Sequence, residues 1–399
     1  MPTRADTHYF GAGPAPLPTP VLEAASQVLL NYNDTGIAGT KSALRQLLDI
    51  PEHGRDGYDI MFLQGGGSGE FSASVYHMTA LWVEKRRSRI AEEEKDEDKV
   101  LQRLREEVKK MRIDYLVTGS WSLKASQEAA RLRGKFGVIP AEQEWKLTEK
   151  KEDSAMVYFC DNETVDGVEF PAFPSCLESG DYPVVADMSS NFLSRKVDVR
   201  KYSAIFGGAQ KNVGTTGITI AIVKNSLLPP NADLAKPDLL RKLGLPVGPV
   251  VLDWPTISKN NSLYNTLPIF DVWIAGQVMQ GLLDKHPSST SQPRIQGQQD
   301  ESEKKASMIY RVLDSYPDVY HVVPDKSVRS RMNICFRAGK ADERDAKEKA
   351  LVSGAGKRGL QGIKGHRSVG GCRISNYNAV SVASVEKLVS FLEEFAQSK

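Results

Sequence analysis

Two residues at the ends of strand-like stretches define the chemistry this chain could do. Lys211 lies in Gly207-Gly208-Ala209-Gln210-Lys211-Asn212-Val213-Gly214, just after an apolar run, and Asp187 closes the run Val184-Val185-Ala186. A lysine at a strand end can form a Schiff base with a cofactor aldehyde, and an aspartate deep in the same cleft can hold a pyridine nitrogen protonated. Together they point to pyridoxal phosphate. The pair is a weak pointer by itself, because the chain carries 52 Lys and Arg residues and most such groups are solvated surface charges. The neighbouring segments have to carry the reading.

Gln64-Gly65-Gly66-Gly67-Ser68-Gly69-Glu70 follows one apolar run and opens a helical one, so its backbone N–H groups and helix dipole suit a phosphate dianion. Glu70 stands where a dinucleotide fingerprint needs its third glycine, and no Walker lysine follows. A tight glycine turn without a ligand is the alternative. Trp121, in Thr118-Gly119-Ser120-Trp121-Ser122, could stack on a flat aromatic cofactor or simply fill the core. Thr164, in Asn162-Glu163-Thr164-Val165-Asp166-Gly167, is placed to bond a phenolic oxygen of the cofactor, or to cap a turn. Towards the C-terminus, Gly365-His366-Arg367-Ser368-Val369-Gly370-Gly371-Cys372-Arg373 gathers two arginines and a histidine in a glycine-punctuated stretch. Arginine suits bidentate recognition of carboxylate or phosphate, so a substrate with more than one anionic group fits; an ordinary basic surface loop is the alternative.

Positioning these residues requires an α/β scaffold. From about residue 58 to 224, short apolar runs bounded by turn residues alternate with longer amphipathic stretches. Strands are expected at 60–63, 115–117, 155–160, 184–187, 204–206 and 218–223, with helices at 70–82 and 122–132. The motifs then fall at strand ends, where open α/β sheets place ligands. The doubly charged stretch 85–112 reads as a solvated helix supported by i,i+4 pairs, and the Ser, Gln and Pro-rich stretch 288–303 as a flexible loop or insertion. Helical 302–315, strand-like 332–336, helical 343–352 and a closing helix 382–397 compose a smaller α+β domain.

Bulk properties exclude several classes. With 399 residues, 40% hydrophobic, the chain can bury substantial cores and the length favours two or three domains. A formal charge of +2 gives no overall field for nucleic acid or an anionic membrane. Cys160, Cys176, Cys335 and Cys372 lack C-x-x-C spacing, which fits reduced thiols in a cytoplasmic protein better than a disulfide or zinc framework. The N-terminus has no apolar signal core, and no apolar run approaches the ~20 residues a membrane helix needs.

The ordered series FLQGGGSG (62–69), TGSWS (118–122), NETVDG (162–167), VVADMSSNFLSR (184–195), GGAQKNVG (207–214), RSRMN (329–333) and GHRSVGGCRISNYN (365–378) resembles the phosphoserine aminotransferase family of the class V aminotransferases. The resemblance runs from Phe10-Gly11 to the C-terminal helix. It implies an aspartate-aminotransferase-like fold (fold type I), with a large mixed-sheet pyridoxal-phosphate-binding domain over 12–280 and a smaller α+β domain over 281–399, residues 1–11 packing with the latter. It further implies that Lys211 carries the cofactor, Asp187 partners its ring nitrogen, Trp121 stacks on the ring and Thr164 donates to its phenolic oxygen. Gly67, Ser68 and Gln210 resemble the phosphate cup. The family is homodimeric, and Asn265 and Thr266 match residues supplied across the interface. His366 and Arg367 resemble the substrate-phosphate site, and Arg373 the arginine that takes the α-carboxylate.

One departure stands out. After the first helix the family carries a Ser-His-Arg-Ser segment and a further helix; here Asp34-Thr35-Gly36-Ile37-Ala38-Gly39-Thr40 runs straight into Lys41-Ser42-Ala43-Leu44-Arg45. Losing one desolvated anion contact costs on the order of a hundredfold in transition-state binding. The expected reaction is transamination between glutamate and 3-phosphohydroxypyruvate, giving O-phosphoserine and 2-oxoglutarate in serine biosynthesis. Two alternatives are another reaction on the same fold, either a cysteine desulfurase using Cys372 or a different class V transaminase, and a catalytically impaired cofactor-binding variant that lacks the substrate-binding segment.

Overall fold

The computed structural model describes residues 7–11, 17–28, 37–133, 138–140, 147–286 and 294–398. Seven strands form the main sheet: Tyr58–Leu63 (β1), Arg112–Val117 (β2), Val138–Pro140 (β3), Ser154–Cys160 (β4), Val184–Asp187 (β5), Ala204–Gly208 (β6) and Thr219–Lys224 (β7). Their spatial order is β1-β7-β6-β5-β4-β2-β3. β7 is antiparallel to both neighbours, and the other four pairings are parallel. Every residue of β4 and β5 is buried, the condition of strands covered by helices on both faces.

The two faces follow the period-two alternation of side chains. Ile60, Phe62, Val157, Phe159 and Ile205 join one core, which also takes Leu44 and Leu47 of helix 37–48 and Val272 and Met279 of helix 269–285. Met61, Leu63, Met156, Tyr158 and Phe206 join the other, against helices 66–93 and 120–133. A third core surrounds an antiparallel sheet of Tyr320–Val322 (β8), Asn333–Ala338 (β9) and Cys372–Ser375 (β10), in that order. It draws Ile309, Leu351 and Leu388 from three helices, and Phe10 from the start of the chain. His8–Tyr9 pairs in parallel with Leu360–Gln361.

Three expectations need correction. The helix read at 70–82 spans Gly66–Glu93. The charged stretch 85–112 is not one helix: it divides between the end of that helix and a second one, Glu97–Lys110, while Arg112 opens β2. Asp96 starts the second helix by accepting from the N–H groups of Asp98 and Lys99; the pairs within it, such as Glu106 with Lys109, sit at i,i+3, and others reach the preceding helix. The stretch read as a loop at 288–303 is helical from Arg294, in a helix running to Ser315. Polar composition hid a buried face there: Ile295, Gln298, Ser302 and Lys305 recur at helical spacing, and the Gln298 amide donates to Ser302 Oγ at 3.1 Å. Residues 288–293 lie outside the described residues.

Candidate active site

The parallel strands β2, β4, β5 and β6 end at Val117, Cys160, Asp187 and Gly208, so the segments that follow them meet along one sheet edge. Asp187, the last residue of β5, is buried. Its Oδ1 accepts the Ser189 hydroxyl at 2.6 Å and the Ser189 N–H at 2.8 Å, and Ser189 Oγ in turn accepts the Gly208 N–H of β6 at 3.0 Å. Both Ser189 bonds go to one oxygen. The other, Oδ2, stands 3.3 Å from where a Cβ on Gly67 would lie. Burial pushes the Asp187 carboxyl above its usual range, while the Ser189 bonds and the charge of Lys211 oppose that rise.

Gly67 belongs to the first turn of helix 66–93, after Gly65 and Gly66 at φ values of 112° and 64°. Only glycine adopts such a pair readily. No side chain caps this helix, and the first N–H bonded back into it is that of Gly69, to Gly65 O at 3.1 Å. The amides before it have no acceptor within the helix.

Lys211 follows the turn after β6 and is half-buried. Its Nζ donates to Thr164 Oγ1 at 2.9 Å, and the Thr164 carbonyl accepts from Arg373 Nη1 of β10 at 3.1 Å. Two of the residues singled out by sequence, Lys211 and Arg373, therefore meet at a third, Thr164. Trp121 is in the first turn of helix 120–133, with its ring 6.5 Å from Phe71 and the Lys124 Nζ 4.1 Å from the ring centroid on one face. Its N–H is held by Glu163 Oε2 at 2.8 Å, one residue before Thr164.

The remaining candidates are more dispersed. Gln210 is half-buried, Ser68, Asn265 and Thr266 are exposed, and the Thr266 carbonyl accepts from Gln64 Nε2 at 3.3 Å. His366 and Arg373 share a cavity of about 320 Å³ with Asp166 and Arg337. Arg367 is exposed and outside that cavity. Burial, then the charges of Arg373, Lys124 and Arg367, holds the His366 imidazole below its ordinary value. Lys211 also borders a larger cavity of about 640 Å³, between residues 17–21, helix 269–285 and residues 378–382.

Sequence reasoning missed the supporting residues. Ser189 steadies Asp187, and Glu163 and Asp166 hold the start of helix 120–133. Glu70, fully buried, accepts from Trp254 Nε1 at 3.1 Å through Oε2, leaves Oε1 without a partner, and is pushed up to about 8 by burial. For Glu163, Asp166 and Glu70 the available signal was an acid within a few residues of one already chosen; their partners lie far away along the chain.

A class-V aminotransferase family model matches residues 99–388. The phosphoserine aminotransferase of Saccharomyces cerevisiae is 40% identical over 99% of this chain and 98% of its own length. Among solved structures, phosphoserine aminotransferase from Bacillus circulans subsp. alkalophilus superposes with a TM-score of 0.74 at 32% identity, over 97% of this chain and 98% of its own. The pyridoxal-phosphate-bound phosphoserine aminotransferase of Trichomonas vaginalis gives 0.75 at 29% identity, over 97% and 99%. The chain belongs to the phosphoserine aminotransferase family.

Membership of that family makes it a transaminase whose cofactor is pyridoxal phosphate. The α/β fold with a large mixed sheet is the one expected. The yeast alignment runs over 425 positions against 399 residues here, so that phosphoserine aminotransferase has residues this chain lacks. The junction at Gly36 lies outside the described residues. The Arg45 guanidinium, just past that junction, is turned to the chain's own backbone, donating to the carbonyls of Pro51 at 3.3 Å and Tyr58 at 3.0 Å. The impaired-variant alternative is not favoured, since likeness to the phosphoserine aminotransferases covers nearly the whole chain. Nor does Cys372 suit a desulfurase, because burial pushes its thiol up to about 12 and the thiolate is the nucleophile.

Proposed function

We propose that the chain exchanges an amino group between glutamate and 3-phosphohydroxypyruvate, giving O-phosphoserine and 2-oxoglutarate for serine biosynthesis. The observation that carries this is the convergence on Thr164: its hydroxyl takes the Lys211 amine at 2.9 Å and its carbonyl takes Arg373 at 3.1 Å. One turn thus joins the amine that holds the cofactor to the guanidinium that binds the substrate carboxylate.

The residues fit pyridoxal phosphate. An acid with one oxygen tied to Ser189 and the other beside a glycine suits a protonated ring nitrogen. Unpaired amides at the start of helix 66–93, with Gly67, Ser68 and Gln210, suit a phosphate. Trp121 keeps one ring face clear of the Lys124 cation, and Thr164 Oγ1 is within reach of Lys211. When bound, the cofactor supplies the electron sink that accepts the pair left on the substrate Cα as its proton departs.

The protein's own groups do the rest. Lys211 would hold the cofactor aldehyde, and its free amine would take the proton from the substrate Cα as general base. Asp187, as the carboxylate, would favour a protonated ring nitrogen. The stack and phosphate cup hold the cofactor in place while Lys211 is free. Arg373 takes the α-carboxylate, and His366 and Arg367 take the substrate phosphate, or the distal carboxylate of glutamate in the other half-reaction.

The same reading makes the protein a homodimer. Its support is the exposed apolar strip around Asn265 and Thr266, with Leu263 at 52%, Tyr264 at 44% and Phe270 at 43% exposure, more than a free surface needs. Asn265 and Thr266 then complete the phosphate cup of a second copy. We keep the division into 12–280 and 281–399, with 1–11 joining the smaller part; Phe10 packs among residues 306–392. Cytoplasmic placement rests on four free cysteines; no helix among the described residues is long and apolar enough to cross a membrane.

The test mixes purified protein with glutamate and 3-phosphohydroxypyruvate and follows phosphoserine, while borohydride-reduced holoprotein is peptide-mapped. Turnover with the label on Lys211 is expected. A label elsewhere, or none, overturns the reading.

A further inference from the structure

The carboxylates of Glu163 and Asp166 sit where the N-terminus of helix 120–133 would otherwise end unsatisfied. Glu163 Oε2 accepts the Trp121 N–H at 2.8 Å, and Glu163 Oε1 accepts the Ser122 N–H at 2.9 Å and the Ser122 hydroxyl at 2.5 Å. Asp166 takes the Ser120 N–H at 2.7 Å and the Ser120 hydroxyl at 3.2 Å. Three successive amides of the first turn, which no helix can satisfy internally, are thus bound by two acids from a turn more than 40 residues away in sequence. The helix dipole favours negative charge there, and burial pushes the Glu163 carboxyl up to about 7 against the opposing Ser122 and Trp121 bonds. Gly119 leaves the room they need: a Cβ there would come within 2.6 Å of both Asp166 Oδ2 and Glu163 Cγ.

That turn contains Thr164, flanked by the two acids, and Thr164 is the residue on which Lys211 and Arg373 meet. We propose that Glu163 is a positioning residue that locks the Trp121 backbone, and with it the plane of the stacking ring, to the turn that presents Thr164 to the cofactor. Asp166 reinforces the same lock one residue earlier in the helix. The stacking ring and the hydroxyl are then set by a single rigid unit and not by two independently moving loops. This rests on the assignment of Trp121 as the stacking residue.

The test uses Glu163→Gln, Trp121→Ala and the double variant. Glutamine is isosteric but turns one acceptor into a donor facing an amide, leaving one N–H of the helix start unpaired in a buried place. Each protein is refolded with pyridoxal phosphate, and the cofactor dissociation constant and the visible circular dichroism of the bound cofactor are measured alongside thermal stability. Glu163→Gln is expected to weaken cofactor binding on the order of tenfold and to change the dichroism of the bound cofactor, with Glu163→Asp restoring part of both. In the Trp121→Ala background the Glu163 substitution should have little further effect on cofactor affinity, because the two act through one contact. If Trp121→Ala alone leaves affinity unchanged, the stacking assignment is wrong. If Trp121→Ala weakens binding while Glu163→Gln lowers only the melting temperature, or if the two losses simply add, Glu163 is structural and the proposal fails.

Discussion

Removing the Ser189 hydroxyl should move the acid limb of the pH–rate profile upward. Ser189 Oγ donates to Asp187 Oδ1 at 2.6 Å and is itself oriented by the Gly208 N–H at 3.0 Å, so it bonds the ionised form of a carboxyl that burial already pushes up. A hydrogen bond to a charged group contributes about 1.5–3 kcal/mol, and 1.36 kcal/mol corresponds to one pH unit. In Ser189→Ala the backbone N–H remains at 2.8 Å, so the loss is a single bond, and the Asp187 carboxyl should rise by about one to two pH units. Because the reaction needs the carboxylate, activity should fail at a correspondingly higher pH on the acid side and keep its alkaline limb. Ser189→Thr, which retains the hydroxyl, should stay close to wild type. The assay is kcat/KM against pH, with Asp187→Asn as the inactive reference. An unmoved acid limb in Ser189→Ala, alongside an inactive Asp187→Asn, would refute the claim that Ser189 sets the ionisation of Asp187.

Three further outcomes can be checked. Glu70 is held near 8 against 4.5 in the unfolded chain, so the folded state binds more protons between those values; its contribution to stability is greatest below pH 4.5 and lost as pH rises through 8, with a slope of up to about 1.4 kcal/mol per pH unit. Glu70→Gln should flatten denaturant-derived stability against pH over that window, and an unchanged slope would show that Glu70 ionises normally. Arg195 donates from Nη2 to both Asp161 oxygens at 2.8 and 2.6 Å, all of it buried, so Arg195→Ala should cost about 3–5 kcal/mol by leaving buried charge unpaired; a shift in urea midpoint equivalent to less than about 1 kcal/mol would show that water reaches the pair. Leu263→Asp with Tyr264→Asp should convert a dimer to a monomer on size-exclusion chromatography and weaken cofactor affinity at least about tenfold, the loss of a few phosphate hydrogen bonds; a monomer with unchanged affinity would remove Asn265 and Thr266 from the cup.

What could be read in the sequence, and what could not, divides along the length of the interactions. Strand ends were legible because β4 and β5 are buried on both faces and read as unbroken apolar runs, so Asp187 and the turn before Lys211 could be placed at one edge. Helix boundaries were less so. Gly65 and Gly66 read as a loop, yet their positive φ values start the helix at Gly66, and the polar run from Arg294 conceals a buried face. The roles of Glu163, Asp166 and Ser189 were the least legible, since a carboxylate beside a favoured threonine looks like any turn acid until the chain folds and brings Trp121 and Ser122 to it.

The turn after β4 also explains how a site drawn from two parts of the chain keeps its geometry. Asn162 Nδ2 donates to Ser190 Oγ at 2.7 Å, just beyond Asp187, and to Asn333 Oδ1 of β9 at 2.8 Å, while Ser330 Oγ donates to Asn162 Oδ1 at 2.5 Å. Glu169, in the two-residue strand Val168–Glu169 that pairs back on Asn162–Glu163, accepts from Arg331 Nη2 at 2.8 Å, and the Val165 carbonyl receives Cys335 Sγ of β9 at 3.4 Å. Residues 161–169 are therefore fastened to the segment after β5 on one side and to the small sheet on the other. β9 pairs with β10 and sets Cys335 opposite Arg373, so this turn ties Arg373 to Lys211 through Thr164. A buried polar network of this kind stabilises only when nearly every group is satisfied, which makes its members poor sites for substitution.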